Sequence, residues 1–222
     1  VDITVVLPLY RQIDQINFGI EALGEHWTVK MGETSHVLEL YGCTYEGIKY
    51  RFISTPLLSE REFLYGPPDA GYEDNDLRFG LFAKGIMSLL SHHRFDVVHL
   101  NDWQSALVAL WLKQTPSIKT KSLFTIHNLA YQGLFEKTAL SHLGLDKRYF
   151  HMDALEFYDQ VSFMKAGIKY ADAVTTVSEQ YAKEIQTEAF GCGLDGFLRW
   201  HGKKLMGITN GIDTDHFSPG DD

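Results

Sequence analysis

The sequence predicts an α/β fold, a Rossmann-like parallel sheet flanked by helices, and three observations carry that prediction. Short apolar, β-branched runs alternate with stretches whose apolar residues recur at helical spacing, the pattern of strands covered on both faces by crossover helices. Compact polar residues stand directly after several of these runs, where open parallel sheets place their ligands. No internal repeat or low-complexity segment breaks the alternation across the 222 residues, a length close to one domain on the usual scale of ~100–200 residues.

Asp2-Ile-Thr-Val-Val-Leu7 is apolar and β-branched from its start and reads as a buried strand closed by Pro8. A native chain seldom opens in mid-strand, so a missing upstream segment is expected. His36–Leu40 and Ile48–Ile53 read as two strands of a hairpin, with turn residues from Gly42 to Gly47 between them. Pro67-Pro-Asp-Ala-Gly71 is a loop, because proline and glycine together break any regular element.

Beyond that loop the alternation is regular. Leu77, Leu81, Phe82, Ile86, Leu89 and Leu90 predict a helix, and Phe95–Leu100 a short strand. Trp103, Ala106, Leu107, Leu110 and Trp111 fall on one face of the next helix. Ser122–Ile126 is a strand, Val161–Tyr170 a helical stretch and Asp172–Val177 a strand, after which Ser178 is placed to cap a helix over 179–190. Leu205–Ile208 is a further strand. Residues 1–216 are expected to form the domain, and the turn-forming, acidic residues 217–222 the start of an interdomain linker.

The net charge of −9 disfavours nucleic acid and anionic membrane surfaces, which call for a basic footprint, and is compatible with a neutral polymer. No apolar run approaches the ~20 residues needed to cross a bilayer, and no signal peptide is recognised at the start. Cys43 and Cys192 lack metal-ligand spacing. They read as two reduced thiols, with a disulfide as the alternative.

The residues just past strand ends are the candidate site: Asn101-Asp102, His127-Asn128 and Thr209-Asn210-Gly211. All have the hydrogen-bonding capacity to grip hydroxyl groups. Asp102 has two compatible readings, an N-cap for the helix starting near Trp103 or a carboxylate that orients a ligand. His127 is either hydrogen-bonded into its loop or faces the ligand. A metal held by His99, Asp102 and His127 is disfavoured, since His99 lies inside its strand and no further carboxylate or thiolate joins them. Gly191-Cys-Gly-Leu-Asp-Gly196 matches a dinucleotide fingerprint letter for letter, but a helical stretch precedes it rather than a strand. It is read as a glycine-rich turn. Trp27 and Tyr131 could each be a sugar-stacking platform or a packing residue.

At Asn101-Asp-Trp-Gln-Ser-Ala-Leu107 and Phe124-Thr-Ile-His-Asn-Leu-Ala-Tyr-Gln-Gly133 the sequence resembles bacterial glycogen synthases and plant starch synthases. The likeness continues through Phe79–Lys84, Ala171–Ser178, Glu184–Thr187, Phe190–Gly196 and Thr209–Asp213, in family order. The resemblance implies the N-terminal, acceptor-side half of a two-Rossmann-domain (GT-B) glycosyltransferase, lacking the first strand and the C-terminal nucleotide-binding domain. It implies a retaining glucosyltransferase that moves glucose from ADP-glucose to the non-reducing end of an α-1,4-glucan, with no metal and no cofactor. The site would be assembled with that missing domain, and the chain alone would be inactive. The compartment implied is the bacterial cytoplasm or the plastid stroma.

Carried over residue by residue, the resemblance makes Asp102 and His127 the catalytic pair. The His127 imidazole would bond the transferred sugar's 6-hydroxyl, with a nearby main-chain carbonyl facing the anomeric carbon. Asp102 would bind sugar hydroxyls and place the acceptor. Asn128, Asn210, Tyr65 and Gln104 would bind substrate, Asn210 at the glucosyl unit and Tyr65 on the acceptor side. Three departures stand out: the glycine-rich Lys-x-Gly-Gly-Leu loop near the family's start is absent, the nucleotide-binding domain is absent, and Gln104 replaces a frequent histidine. Two alternatives remain open: another GT-B sugar-nucleotide transferase, told apart by a donor and acceptor screen, and a non-catalytic glucan-binding module, told apart by binding without turnover.

Overall fold

The computed structural model describes residues 1–201, 205–214 and 217. In its first part β1 (Thr4–Pro8), β2 (Glu21–Met31), β3 (Thr34–Tyr45) and β4 (Ile48–Ser54) precede α1 (Pro56–Ser59) and the long α2 (Asn75–His92). Then come β5 (Val97–Asn101), α3 (Asp102–Ser105), α4 (Leu107–Gln114), β6 (Lys121–Ile126), β7 (Leu134–Phe135) and α5 (Ala139–His142). The remainder holds β8 (Glu156–Phe157), β9 (Gln160–Ser162), α6 (Phe163–Tyr170), β10 (Ala173–Thr176), α7 (Glu179–Glu184), α8 (Asp195–His201) and β11 (Leu205–Gly207).

The α/β class holds, with the strands divided between sheets. The order β11-β10-β6-β5 forms a sheet that is parallel throughout. All its carboxyl ends therefore share one edge, the edge to which the sequence assigns the site. A second sheet runs β1-β4-β3-β2, with β1 parallel to β4 and an antiparallel β2-β3-β4 meander. The hairpin expected near 36–53 is present, with a longer first strand. A small antiparallel sheet, β7-β9-β8, lies beside the site.

The strand at 2–7 was expected to be buried. It runs instead from Thr4 to Pro8 and stays half-exposed, and only Pro8 is fully buried. The reason is its place: β1 ends its sheet, as β5 ends the other. Both edges line one cavity of about 710 Å3, walled by Phe82, Ile86, Leu89 and Leu90 of α2.

Sequence reading missed β2. Gly24, at a φ of +77°, and a register shift between Ala22 and His26 interrupt its alternation, so period 2 is lost over the first half of the strand. The helix expected from Trp103 to Trp111 is divided into α3 and α4, and Leu107 through Leu112 are all buried. A single apolar face was expected, but α2 packs on one side and α6 on another. The helical stretch at 161–170 starts at Phe163, because Val161 belongs to β9 and Ser162 caps the helix by accepting the Lys165 N–H. Ser178 caps α7 as expected, by accepting the Tyr181 N–H, but that helix ends at Glu184 instead of 190.

Leu100, Phe124, Ile126, Leu107, Leu110, Phe163 and Ile168 are at most 1% exposed. Burial of each contributes about 1.5–3 kcal/mol, enough to hold the strand ends beneath the site against the small energies of the site's own hydrogen bonds. Among the described residues no helix is long and apolar enough to cross a membrane. Cys43 and Cys192 are both free thiols. The boundary expected at 216–217 and most of the linker expected after it lie outside the described residues.

Candidate active site

β5 and β6 are neighbours in register, with Asn101 opposite Thr125, so the residues leaving the two strands meet. Asp102 takes a left-handed backbone, φ +53°, a conformation that aspartate tolerates better than most residues. Its carboxylate does not cap the helix that starts there. Oδ1 accepts the main-chain N–H of His127 at 2.8 Å, so the cap reading does not hold. Among the described residues, Oδ2 receives no donor.

Asn101 grips the same histidine from its other end. His127 Nε2 lies 3.1 Å from the Asn101 amide oxygen. With that oxygen accepting, Nε2 is the donor, and in the neutral ring Nδ1 is then the acceptor. His127 is exposed, so Nδ1 can accept a hydroxyl proton from a ligand. Sequence reading placed Asn101 among the polar strand-end candidates but did not foresee its bond to His127.

Below this pair the sheet carries a polar chain. His99 Nε2 is 2.6 Å from Thr125 Oγ1, which is 2.6 Å from Thr175 Oγ1, and Thr176 Oγ1 donates to the Ile126 carbonyl. Burial, and then the proximity of His127, hold the His99 imidazole below its ordinary pKa. His99 is therefore neutral near pH 7 and ties β5 to β6 and β10. Among the described residues no group of three or more His, Cys, Asp or Glu side chains is arranged to hold a metal ion.

Tyr65, Gln104, Asn101 and Asp102 line the same cavity of about 710 Å3, together with Tyr10. Burial and then Tyr65 push the Tyr10 phenol well above its ordinary pKa, so it stays a neutral donor. Tyr65 is placed by residues that sequence reading missed. The guanidinium of Arg78, fully buried, donates to the carbonyls of Leu57 and Leu64 and to Asn75 Oδ1 at 2.6 Å, and Asn75 Nδ2 donates to the Tyr65 carbonyl at 2.8 Å. The available signal was an arginine set between Leu77 and Phe79 in the apolar run of the helix.

Asn128 is exposed beside His127, and its Oδ1 accepts the Ala130 N–H at 3.0 Å, so one end of its amide shapes the loop. Asn210 is exposed beyond β11, on the shared edge but two strands away from β6. At about 4.8 Å per strand it stands apart from the Asp102–His127 pair and makes no hydrogen bond to it.

The loop after His127 is fixed by close packing. Gly133 has a φ of +62°, and a Cβ there would lie 2.5 Å from the Trp103 ring. Trp103 packs edge-on against Phe79, with centroids 4.8 Å apart, and lies near Tyr65 and Phe135. Gln132 is buried and donates to the Cys192 carbonyl at 3.0 Å. Residues 191–194 of the glycine-rich run thus form a turn between α7 and α8 that supports this loop, while Asp195 and Gly196 open α8. Trp27 packs beside His92 and against the core, which makes it a packing residue, whereas Tyr131 is exposed.

A parallel sheet whose polar strand ends share one edge beside a largely apolar cavity has the architecture of one half of a GT-B glycosyltransferase. Comparison with known proteins narrows the class. The starch synthase catalytic domain family matches residues 1–200, and the chain belongs to that family. It is 39% identical to a glycogen synthase of Syntrophotalea carbinolica over 98% of this chain and 46% of that protein. With a glycogen synthase of Aquifex aeolicus it shares 42% identity over 96% of this chain and 45% of that protein. Its fold superposes on the catalytic domain of starch synthase IV from Arabidopsis thaliana bound to ADP and acarbose, with a TM-score of 0.84 and 31% identity, over 98% of this chain and 47% of that one. The chain spans about half the length of the curated relatives it matches.

Proposed function

We propose that this chain is the acceptor-side half of a retaining glucosyltransferase that extends an α-1,4-glucan at its non-reducing end, with ADP-glucose as donor. Membership of the starch synthase family supports the reaction class. The observation that carries the site is the double grip on His127, through its main-chain N–H by Asp102 and through its ring by Asn101. That grip leaves His127 Nδ1 and Asp102 Oδ2 available as acceptors for two sugar hydroxyls.

The chemistry asked of these groups is positioning. His127 bonds a hydroxyl of the transferred glucose, and Asp102 orients a hydroxyl close by. Their acceptor atoms favour the positive charge that develops on the sugar ring in the transition state. Tyr65, Gln104 and Asn128 bind substrate around this pair, and Asn210 reaches the glucosyl unit from its own strand end. The nucleotide is held by the opposing domain. A cytoplasmic or plastid setting accords with this reading.

The test is made on a protein of the relatives' full length that carries this sequence. ADP-glucose with maltooligosaccharide should give chain extension, faster than UDP-glucose does. Asp102→Ala and His127→Ala should each lower turnover at least ~100-fold. Near-normal rates in both variants would remove the pair from the site, and absence of transfer by the unaltered protein would reject the activity.

A further inference from the structure

We propose that Tyr181 is a positioning residue for the transferase reaction, its hydroxyl setting the course of the loop that carries His127. That loop leaves β6, and β6 lies between β5 and β10. From the β5 side Asp102 holds the His127 N–H. From the β10 side comes α7, whose Tyr181 hydroxyl accepts the Leu129 N–H at 3.1 Å. Side chains that follow the two neighbouring strands thus hold the loop at alternate residues.

Both ends of the Tyr181 bond are firmly seated. Ser178 Oγ accepts the Tyr181 N–H at 2.9 Å, and Ile185, fully buried, anchors α7 in the core. The start of α7 lies so close to β11 that a Cβ on Gly207 would collide with the Ser178 carbonyl and the Glu179 main chain. At the other end the Leu129 side chain is fully buried. Support of this kind is what holds a reacting constellation within ~0.5 Å of its productive geometry.

The bond acts through the peptide planes, because a peptide unit is flat and turns as one body. Asp102 fixes the unit that joins Ile126 to His127. Tyr181 fixes the unit that joins Asn128 to Leu129, whose carbonyl also accepts the Tyr131 N–H at 3.3 Å. The unit between them carries the His127 carbonyl, so its direction is set from both sides. Asn128 Oδ1 takes the Ala130 N–H as well. With the N–H groups of 127, 129, 130 and 131 engaged inside the protein, the loop offers a ligand chiefly acceptors, which favour positive charge on a reacting sugar. Tyr181→Phe keeps the ring that packs against the core and removes only the hydroxyl, so it frees the N–H end of the unit 128–129.

The link to catalysis rests on the proposed function, whereas the hold on the loop does not, and each is measured separately. In the 222-residue chain, Tyr181→Phe should make the Leu129 amide exchange with solvent about tenfold faster, while the His127 amide, still held by Asp102, changes less than about twofold. In a protein of the relatives' length the same variant should lower kcat about tenfold, or ~1.4 kcal/mol, and leave KM for maltooligosaccharide and for ADP-glucose within about twofold. Ile185→Val loosens α7 without touching the phenol, so it should lower the melting temperature and spare kcat. Unchanged Leu129 exchange in Tyr181→Phe would overturn the hold on the loop. An unchanged kcat in Tyr181→Phe, or an equal loss of kcat in Ile185→Val, would overturn the positioning role. Absence of transfer by the unaltered protein would reject the proposed function alone, and Leu129 exchange would still decide whether Tyr181 holds the loop.

Discussion

The Asp102 carboxylate holds the main-chain N–H of His127 at 2.8 Å while its own backbone sits at φ +53°. Two costs are balanced in that contact. Alanine would lose a charge-assisted hydrogen bond, and a Cβ residue without a polar tip is strained by ~1–2 kcal/mol in the left-handed region. Asparagine keeps an acceptor and tolerates that conformation. Asp102→Ala should therefore destabilise the chain by about 2 kcal/mol, roughly 4–8 °C in melting temperature for this size, and Asp102→Asn by less than half as much. Thermal denaturation of the two variants decides, and equal losses would show that the bond does not hold the turn.

That contact also marks how far the sequence could be read. Asp102 and His127 follow the strands β5 and β6, whose apolar runs announce them, so strand-end topology placed both at one edge. Periodicity cannot report which partner a side chain takes, so the contact between Asp102 and the His127 N–H is not legible in the sequence. Arg78 escaped, and so did the partner of Asn101, for the same reason: each acts through side-chain bonds to residues distant in sequence. β2 escaped because a bulge and a glycine erase its alternation. The two-sheet division was equally hidden, since hydrophobic runs do not say which strand is whose neighbour.

Gly133 is a position where no side chain fits. Its φ of +62° disfavours any L residue, and a Cβ would meet three atoms of the Trp103 indole at 2.5–3.0 Å. The indole is rigid and wedged among Phe79, Phe135 and Phe163, so it cannot yield. Gly133→Ala should lower stability by about 2–4 kcal/mol, the sum of left-handed strain and overpacking. Urea denaturation measures this, and a loss below ~1 kcal/mol would mean that the loop relaxes away from Trp103.

Asp172 supplies an acid-sensitive joint between β6 and the segment after α6. Burial alone would raise its pKa, but hydrogen bonds from the Lys113 ammonium and from the Ser122 N–H outweigh burial and hold the carboxyl at about 2. The folded value lies below the unfolded one, so its contribution is complete above about pH 4 and is lost as pH falls through about 2. The side chain is 31% exposed, and after allowance for screening the contribution is on the order of 1 kcal/mol. Asp172→Asn should be less stable than the parent at pH 7, with the gap closing toward pH 2. Melting curves across that range test it, and a gap independent of pH would assign the loss to packing.

Arg78 poses a sharper choice, because a buried guanidinium is costly in itself. Its Nη2 has no partner among the described residues, and burial lowers its pKa. Replacing a buried charge with an apolar side chain can stabilise a protein when both partners are replaced. Here the partners are the carbonyls of Leu57 and Leu64, which no mutation of residue 78 removes. Each buried acceptor left without a donor costs ~1–3 kcal/mol, so the loss outweighs the relief. Arg78→Met should destabilise the chain by about 3 kcal/mol. Arg78→Lys should cost less but still fail to reach all three acceptors with a single ammonium. The damage should appear first at residues 57–66, whose amides should exchange faster with solvent in both variants, since Asn75 then loses its link to the Arg78 fork while still bonded to the Tyr65 carbonyl. Tyr65 lines the cavity beside Asp102, so in a protein of the relatives' length Arg78→Lys should raise KM for the acceptor more than it lowers kcat. Unchanged exchange at 57–66 would separate Arg78 from the placement of Tyr65.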